Sequence, residues 1–221
     1  MKLALLGKGK TGSKVIELIE QKSLPIEVSI FDSKTPITID SLKGHDVILS
    51  FLPGDAFLEY RETLKSSGIP VVTGSTGFSW EEDFKNDLKA PWVYATNFSL
   101  GMNLVQQMIK TMSNAHKLFS DYSFNIHEVH HTKKLDAPSG TAITWRDWTG
   151  EDFEITSDRI GDVVGDHTLT FETQTEKITL RHEALDRKIF AEGALWATKK
   201  VLELEVGLYD FQEITLKELL S

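Results

Sequence analysis

Along the first hundred residues, short apolar runs alternate with stretches of helical spacing. Leu3 to Leu6 is followed by a helical pattern over Thr11 to Lys22, then Ile26 to Phe31. The alternation continues through Val47 to Phe51, a helix from about Asp55 to Ser66, Val71 to Thr73, a short helix near Trp80 to Leu88, and Trp92 to Ala95. Apolar strands separated by helices predict a parallel sheet covered on both faces. After "NFSLGMN" (97 to 103) the pattern changes. A helix over Met102 to Leu118 leads into alternating residues 122 to 131. Strand-like runs follow near Phe153 to Thr156, Leu169 to Thr173 and Ile178 to Arg181. An amphipathic stretch, Arg187 to Leu204, and "GLYDFQEI" close the pattern. Clustered strands predict an antiparallel or mixed sheet, hence a second domain. The boundary falls near residues 99 to 101, giving domains 1–99 and 100–205, with 206–221 returning to the first.

Composition narrows the classes. A chain of 221 residues with 40% apolar content is long enough to bury a sizeable core. A net charge of −9 and a pI of about 5.3 argue against nucleic acid or an anionic membrane as partner. There is no cysteine, so no disulfide frame or thiolate chemistry is available. The apolar run in "MKLALLGKGKTG" is too short for a signal or membrane segment, and the expectation is a cytoplasmic protein.

Between the first strand and first helix, Gly7, Gly9 and Gly12 read G-x-G-x-x-G. In a dinucleotide-binding turn the first glycine permits the tight bend. The second lets backbone approach a pyrophosphate, and the third lets helix and strand pack closely. Asp32, 20 residues after Gly12, ends the second strand, where a carboxylate can accept hydrogen bonds from ribose hydroxyls. Gly12 is followed by Ser13 and then Lys14, the reverse of a P-loop, so nucleotide hydrolysis is set aside. Loops after the fourth and fifth strands bring Gly74, Ser75, Thr76, Asn97 and Phe98 to the same crevice. The alternatives are an ordinary glycine-rich turn and, at Asp32, a solvated loop aspartate.

The densest chemistry lies in "EVHHTKKLDAPSGTA", residues 128 to 142. Period-two alternation puts Tyr122, Phe124, Ile126, Glu128 and His130 on one strand face, and Ser123, Asn125, His127, Val129 and His131 on the other. A metal site could draw on His127, Glu128, His130 and His131, but Lys133 and Lys134 beside it would oppose a divalent ion. A solvated strand end is the other alternative. "DAPSGTA" counts against it: Pro138 and Ser139, a possible N-cap, precede Gly140 and Thr141, whose backbone N–H groups are free to bind an anion. Cationic side chains, a histidine and an anion-binding helix start suit a small dianionic substrate that needs a proton.

"EVHHTKKLDAPSGTA" resembles the signature of the 4-hydroxy-tetrahydrodipicolinate (dihydrodipicolinate) reductases of bacterial lysine and diaminopimelate biosynthesis. "GSTGF", "NFSLGMN", "GDVVGDHT", "RHEALDR", "FAEGALWA" and "GLYDF" stand in the order of that family. The resemblance implies an α/β fold: a Rossmann-type domain plus an α+β substrate and oligomerisation domain with a mixed sheet, assembled as a homotetramer. It implies hydride transfer from NADH or NADPH to a cyclic unsaturated imine dicarboxylate, with no metal. His130 would be proton donor and acceptor and Lys134 proton donor, with His130 and Lys134 both open as the source of the proton. His131, Ser139, Gly140 and Thr141 would hold substrate carboxylate. Gly7, Lys8, Gly9, Lys10, Thr11 and Gly12, then Gly74 to Thr76, then Ala95, Thr96, Asn97 and Phe98 would line the cofactor. The chain departs from the pattern in a tighter glycine turn, in Ile160 where glycine is common, and in "ITWRDWTGEDF", which is expected to reach the next strand almost at once.

Overall fold

The computed structural model describes residues 1–221. Its strands in chain order are β1 (Lys2–Leu6), β2 (Glu27–Phe31), β3 (Val47–Ser50), β4 (Val71–Thr73), β5 (Trp92–Tyr94), β6 (Ser123–His130), β7 (Ile155–Arg159), β8 (Asp166–Glu172), β9 (Lys177–Glu183) and β10 (Leu208–Asp210). The helices are α1 (Lys10–Gln21), α2 (Ile39–Leu42), α3 (Gly54–Ser67), α4 (Leu100–Met112), α5 (Gly140–Thr149), α6 (Lys188–Lys200) and α7 (Phe211–Leu220). Two compact units result: residues 1–100 with 188–221, and residues 101–187.

The first unit is a six-stranded parallel sheet in the order β10-β5-β4-β3-β1-β2. Its central strands are buried on both faces, as their unbroken apolar runs require. Leu3, Leu5, Leu49, Val72 and Val93 face one core with Val15 and Leu18 of α1. Ala4, Leu6, Ile48 and Val71 face the other with Phe57 and Leu64 of α3. The chain runs from β1 to β2 on one side and then to β3 on the other, so the sheet order reverses at β1. Ligands of such sheets bind beside the strand ends at this reversal.

The chain rejoins this unit at residue 188, earlier than the position 206 expected from sequence. The reason is packing: Ala191, Ala194, Leu195 and Ala197 of α6 belong to the same core as Leu3 and Leu5. Gly193 makes the approach possible, since a Cβ there would lie 1.7 Å from the backbone oxygen of Phe98. The helix expected near Trp80 to Leu88 is only a 3₁₀ turn over Phe84–Asp87, where Trp80 and Phe84 pack edge-on to Trp92.

In the second unit the sheet order is β7-β6-β8-β9, with β6 and β7 parallel and the other pairs antiparallel. Phe124, Ile126, Leu169 and Phe171 on one face pack with Val105 and Ile109 of α4 and with Ala142 and Trp145 of α5. The segment after residue 142 does not pass straight to a strand; it completes the ten-residue α5, which supplies Trp145 to this core.

Gly193→Ala should destabilise the protein by about 2 kcal/mol or more, because overpacking against backbone outweighs the gain of roughly 1 kcal/mol in helix propensity. A thermal midpoint several degrees below wild type is expected; an unchanged or raised midpoint would contradict the close approach.

Candidate active site

Strand β6 begins as an ordinary core strand and ends as something else. Phe124 and Ile126 enter the apolar core, and the same period-two face then carries Glu128 and His130, both buried. Sheet register brings partners to them. Glu128 stands opposite Ser157 of β7 and His167 of β8, and His130 stands opposite Arg159. The Glu128 carboxylate is fully buried, and its Oε1 accepts from Ser157 Oγ at 2.9 Å, Arg159 Nη2 at 3.1 Å and the Ser139 backbone N–H at 2.9 Å. Burial alone would raise its pKa, but these hydrogen bonds from Ser139, Ser157 and Arg159 outweigh that and hold it below the usual carboxylate range. Its Oε2 lies 3.3 Å from His130 Nδ1 and 3.6 Å from His167 Nε2.

Burial lowers the pKa of His130; Glu128 and Asp136 oppose the shift, while Lys134 and Arg159 add to it. His167 is pushed down to about 4, chiefly by burial and by His130 beside it. Sequence reading gave no role to His167 or Arg159. His167 lies within "GDVVGDHT", which was noted only for its place in the family order.

After His130 the chain turns. Lys134 N–H donates to the His131 carbonyl, and Lys134 Nζ donates to both oxygens of Asp136 at 2.8 Å. Arg159 also donates to the Asp136 carbonyl, so Lys134, Asp136, Arg159 and Glu128 form one connected set. His131 is half-buried just beyond the strand. The loop ends at Ser139, the N-cap of α5, whose Oγ accepts from Ala142 N–H at 3.2 Å. Ser139 is itself buried, and its hydroxyl also contacts His167 Nε2 at 3.2 Å. Its side chain is thus turned inward, whereas Gly140 is exposed and Thr141 half-exposed at the helix start. Their backbone N–H groups are the ones left open to an anion at this end.

The four residues considered for a metal do not converge. His127 points to the other face, with its Nδ1 at 2.9 Å from Thr156 Oγ1. The set that does converge is Glu128, His130 and His167, with candidate ligand atoms within 4.8 Å of one another. A divalent ion there would share its carboxylate with the Arg159 guanidinium and lie near Lys134, which opposes cation binding.

In the first unit each glycine of the turn has a separate duty. Gly7 has φ +91°, which an L side chain rarely adopts, and a Cβ at Gly12 would lie 2.1 Å from the Gly7 oxygen. A Cβ at Gly9, the N-cap of α1, would meet nothing within 4 Å. That open backbone at a helix start fits an approaching pyrophosphate. Lys8 and Lys10 are exposed beside it and Thr11 half-exposed. A cavity of about 670 Å³ adjoins the turn, lined by Gly7, Lys8, Asp32, Leu52, Glu59 and Tyr60 among others. These residues fit the adenosine half of a dinucleotide. Asp32 is exposed at the end of β2 and accepts from Lys34 N–H at 2.9 Å. Gly74 and Thr76 follow β4, and Ser75 is buried with its Oγ 3.3 Å from Ser50 Oγ. Gly74 leaves room for the rings of Phe51 and Phe98. After β5, Thr96 is exposed and Asn97 accepts from Ser99 N–H. Ala95 and Phe98 are buried in the core of this unit, and the Phe98 ring packs edge-on to Phe51 and Phe211.

Comparison with known proteins agrees with both halves. The family described as dihydrodipicolinate reductase, N-terminus, matches residues 1–98, and dihydrodipicolinate reductase, C-terminus, matches residues 101–215. The 4-hydroxy-tetrahydrodipicolinate reductase of Thermosipho africanus is 33% identical over 225 aligned positions, covering 97% of this chain and 97% of the relative. That of Christiangramia forsetii is 32% identical, covering 100% and 98%. Among solved structures, a dipicolinate-bound dihydrodipicolinate reductase from a Paenisporosarcina species superposes with a TM-score of 0.78 at 23% identity, over 97% of this chain and 99% of that one.

Because the pKa of His167 is lowered from 6.5 to about 4 on folding, the unfolded chain binds more protons between those values. Its contribution to stability is intact above about pH 6.5 and is lost as pH falls toward 4. Linkage gives a loss of about 2 kcal/mol between pH 7 and 5. Urea unfolding should show wild type losing stability over that range, with a smaller loss in His167→Gln. Equal losses in the two proteins would show that His167 is not held neutral.

Proposed function

The chain belongs to the dihydrodipicolinate reductase family, and on that premise we propose that it is a 4-hydroxy-tetrahydrodipicolinate reductase. It reduces a cyclic unsaturated imine dicarboxylate to tetrahydrodipicolinate, in lysine and diaminopimelate biosynthesis. The observation that carries the reading is the gathering, in one unit, of His130, Lys134 and the exposed N-terminal amides of α5. When bound, NADH or NADPH supplies the hydride. The chain's own residues then have three tasks. Gly140 and Thr141 hold a substrate carboxylate through backbone N–H groups and the Thr141 hydroxyl, with His131 beside them. Lys134 balances the dianion's charge. His130 or Lys134 delivers the single proton that the reduced ring takes up as its π electrons shift toward nitrogen.

The adenosine cavity carries the carboxylates of Asp32 and Glu59, which supports NADH use at least comparable with NADPH, since a 2′-phosphate would be repelled. No helix is long and apolar enough to cross a membrane. A cytoplasmic homotetramer is the assembly we propose, supported by the exposed apolar side chains Leu118 and Ile178 at one edge of the second unit.

Oxidation of NADH in the presence of the condensation product of pyruvate and aspartate semialdehyde tests the reading. His130→Gln and Lys134→Ala should lower kcat by about 10² to 10⁴ while leaving NADH affinity intact. His131→Ala and Thr141→Val should act mainly on KM. Near wild-type turnover in both His130→Gln and Lys134→Ala would return this segment to a solvated strand end.

A further inference from the structure

Building on the reductase reading, we infer that Glu128 is a positioning residue: its carboxylate fixes the ring of His130 with the proton on Nδ1, leaving Nε2 as the atom that exchanges protons with substrate, while holding the start of α5 in place.

Glu128 Oε1 is fully engaged by Ser139, Ser157 and Arg159. Glu128 Oε2 and His130 Nδ1 are both buried without a hydrogen-bond partner, and they lie 3.3 Å apart. Buried polar atoms left unsatisfied are costly, and an ionised carboxylate only accepts. As the side chains stand, a hydrogen on Nδ1 does not point at Oε2 well enough to bond, and a small rotation of the ring with hydrogen on Nδ1 satisfies both atoms. His167 does not offer an alternative donor. Its Nε2 lies 3.6 Å from Glu128 Oε2, beyond hydrogen-bond distance, and 3.2 Å from Ser139 Oγ, which accepts from Ala142 N–H and can donate its own hydrogen to that nitrogen. A neutral His167 agrees with its depressed pKa.

The other side of the His130 ring is kept open. A Cβ at Gly165 would stand 3.1 Å from His130 Nε2, so the glycine leaves that nitrogen uncovered by a side chain. Protonated His130 can therefore give up the Nε2 hydrogen and retain the one on Nδ1, returning to the same neutral tautomer. The charged and titratable groups facing it are Glu128 on its own strand, Arg159 on β7, His167 on β8, and Lys134 and Asp136 in the loop. Of the carboxylates, Glu128 exerts the larger pull toward protonation. The same carboxylate anchors Ser139, so the proton donor and the anion-binding amides of Gly140 and Thr141 share one support.

Nitrogen-15 NMR of wild-type protein reads the tautomer of neutral His130. Hydrogen on Nδ1 is expected, and hydrogen on Nε2 overturns the inference. In Glu128→Gln the His130 titration and the acid limb of kcat/KM should both move to lower pH. Turnover should fall about 10- to 100-fold with NADH affinity unchanged. Glu128→Asp, which keeps the charge, should retain more of the wild-type pH profile than Glu128→Gln. A Glu128→Gln protein with a lowered melting point but an unmoved pH profile would reduce Glu128 to a structural role. If Glu128→Gln does not fold, the wild-type tautomer decides. Absence of NADH oxidation by wild type would remove the reductase reading while leaving the tautomer and titration results to stand or fall separately.

Discussion

A buried carboxylate is tolerated only where its charge is answered, and the second unit is arranged around that constraint at Glu128. The residue stands on the core-facing side of β6, two positions beyond Ile126, where an apolar side chain would continue the pattern. Donors reach it from β7 and from the start of α5, and two histidine rings border it. Its pKa stays low because hydrogen bonds to the ionised form exceed the cost of desolvation. The outcome is a polar pocket built into the end of an apolar sheet face. One strand thereby supplies both the core that holds α5 and the carboxylate that anchors its start, with His130 beside it.

The first unit follows a different constraint, close approach of backbone. Gly12 against Gly7 and Gly193 against Phe98 bring a helix onto a strand or loop at distances no Cβ would allow. The former shapes the turn where a phosphate can meet open backbone at Gly9. The latter seats α6 on the sheet and brings the chain back to the first unit. The cofactor-facing crevice and the return of the chain are thus consequences of the same small-residue packing.

Much of this was legible in the sequence, and the parts that were not share a cause. Period-two alternation placed Glu128 and His130 on one face, the glycine spacing located the tight turn between β1 and α1, and "DAPSGT" marked a helix start. His167 and Arg159 were missed because they reach the site through strand register, which depends on pairing between β6, β7 and β8 and leaves no local trace. Ser139 carried helix-start character, but whether its hydroxyl faces a ligand or the protein depends on His167 behind it. Phe98 was placed in a loop after the fifth strand, and the burial of its ring between Phe51 and Phe211 depends on long-range packing that the loop sequence does not carry. The domain return was displaced from 206 to 188 because an amphipathic helix does not say which sheet its apolar face will cover.

Everything proposed for the second unit rests on the His130 pocket and the start of α5 forming a dianion site. Isotope-labelled protein titrated with dipicolinate, a planar dicarboxylate, should show the Gly140 and Thr141 amides and the His130 ring shifting together in a saturable manner. Shifts confined to other residues, with these three signals unmoved, would contradict it.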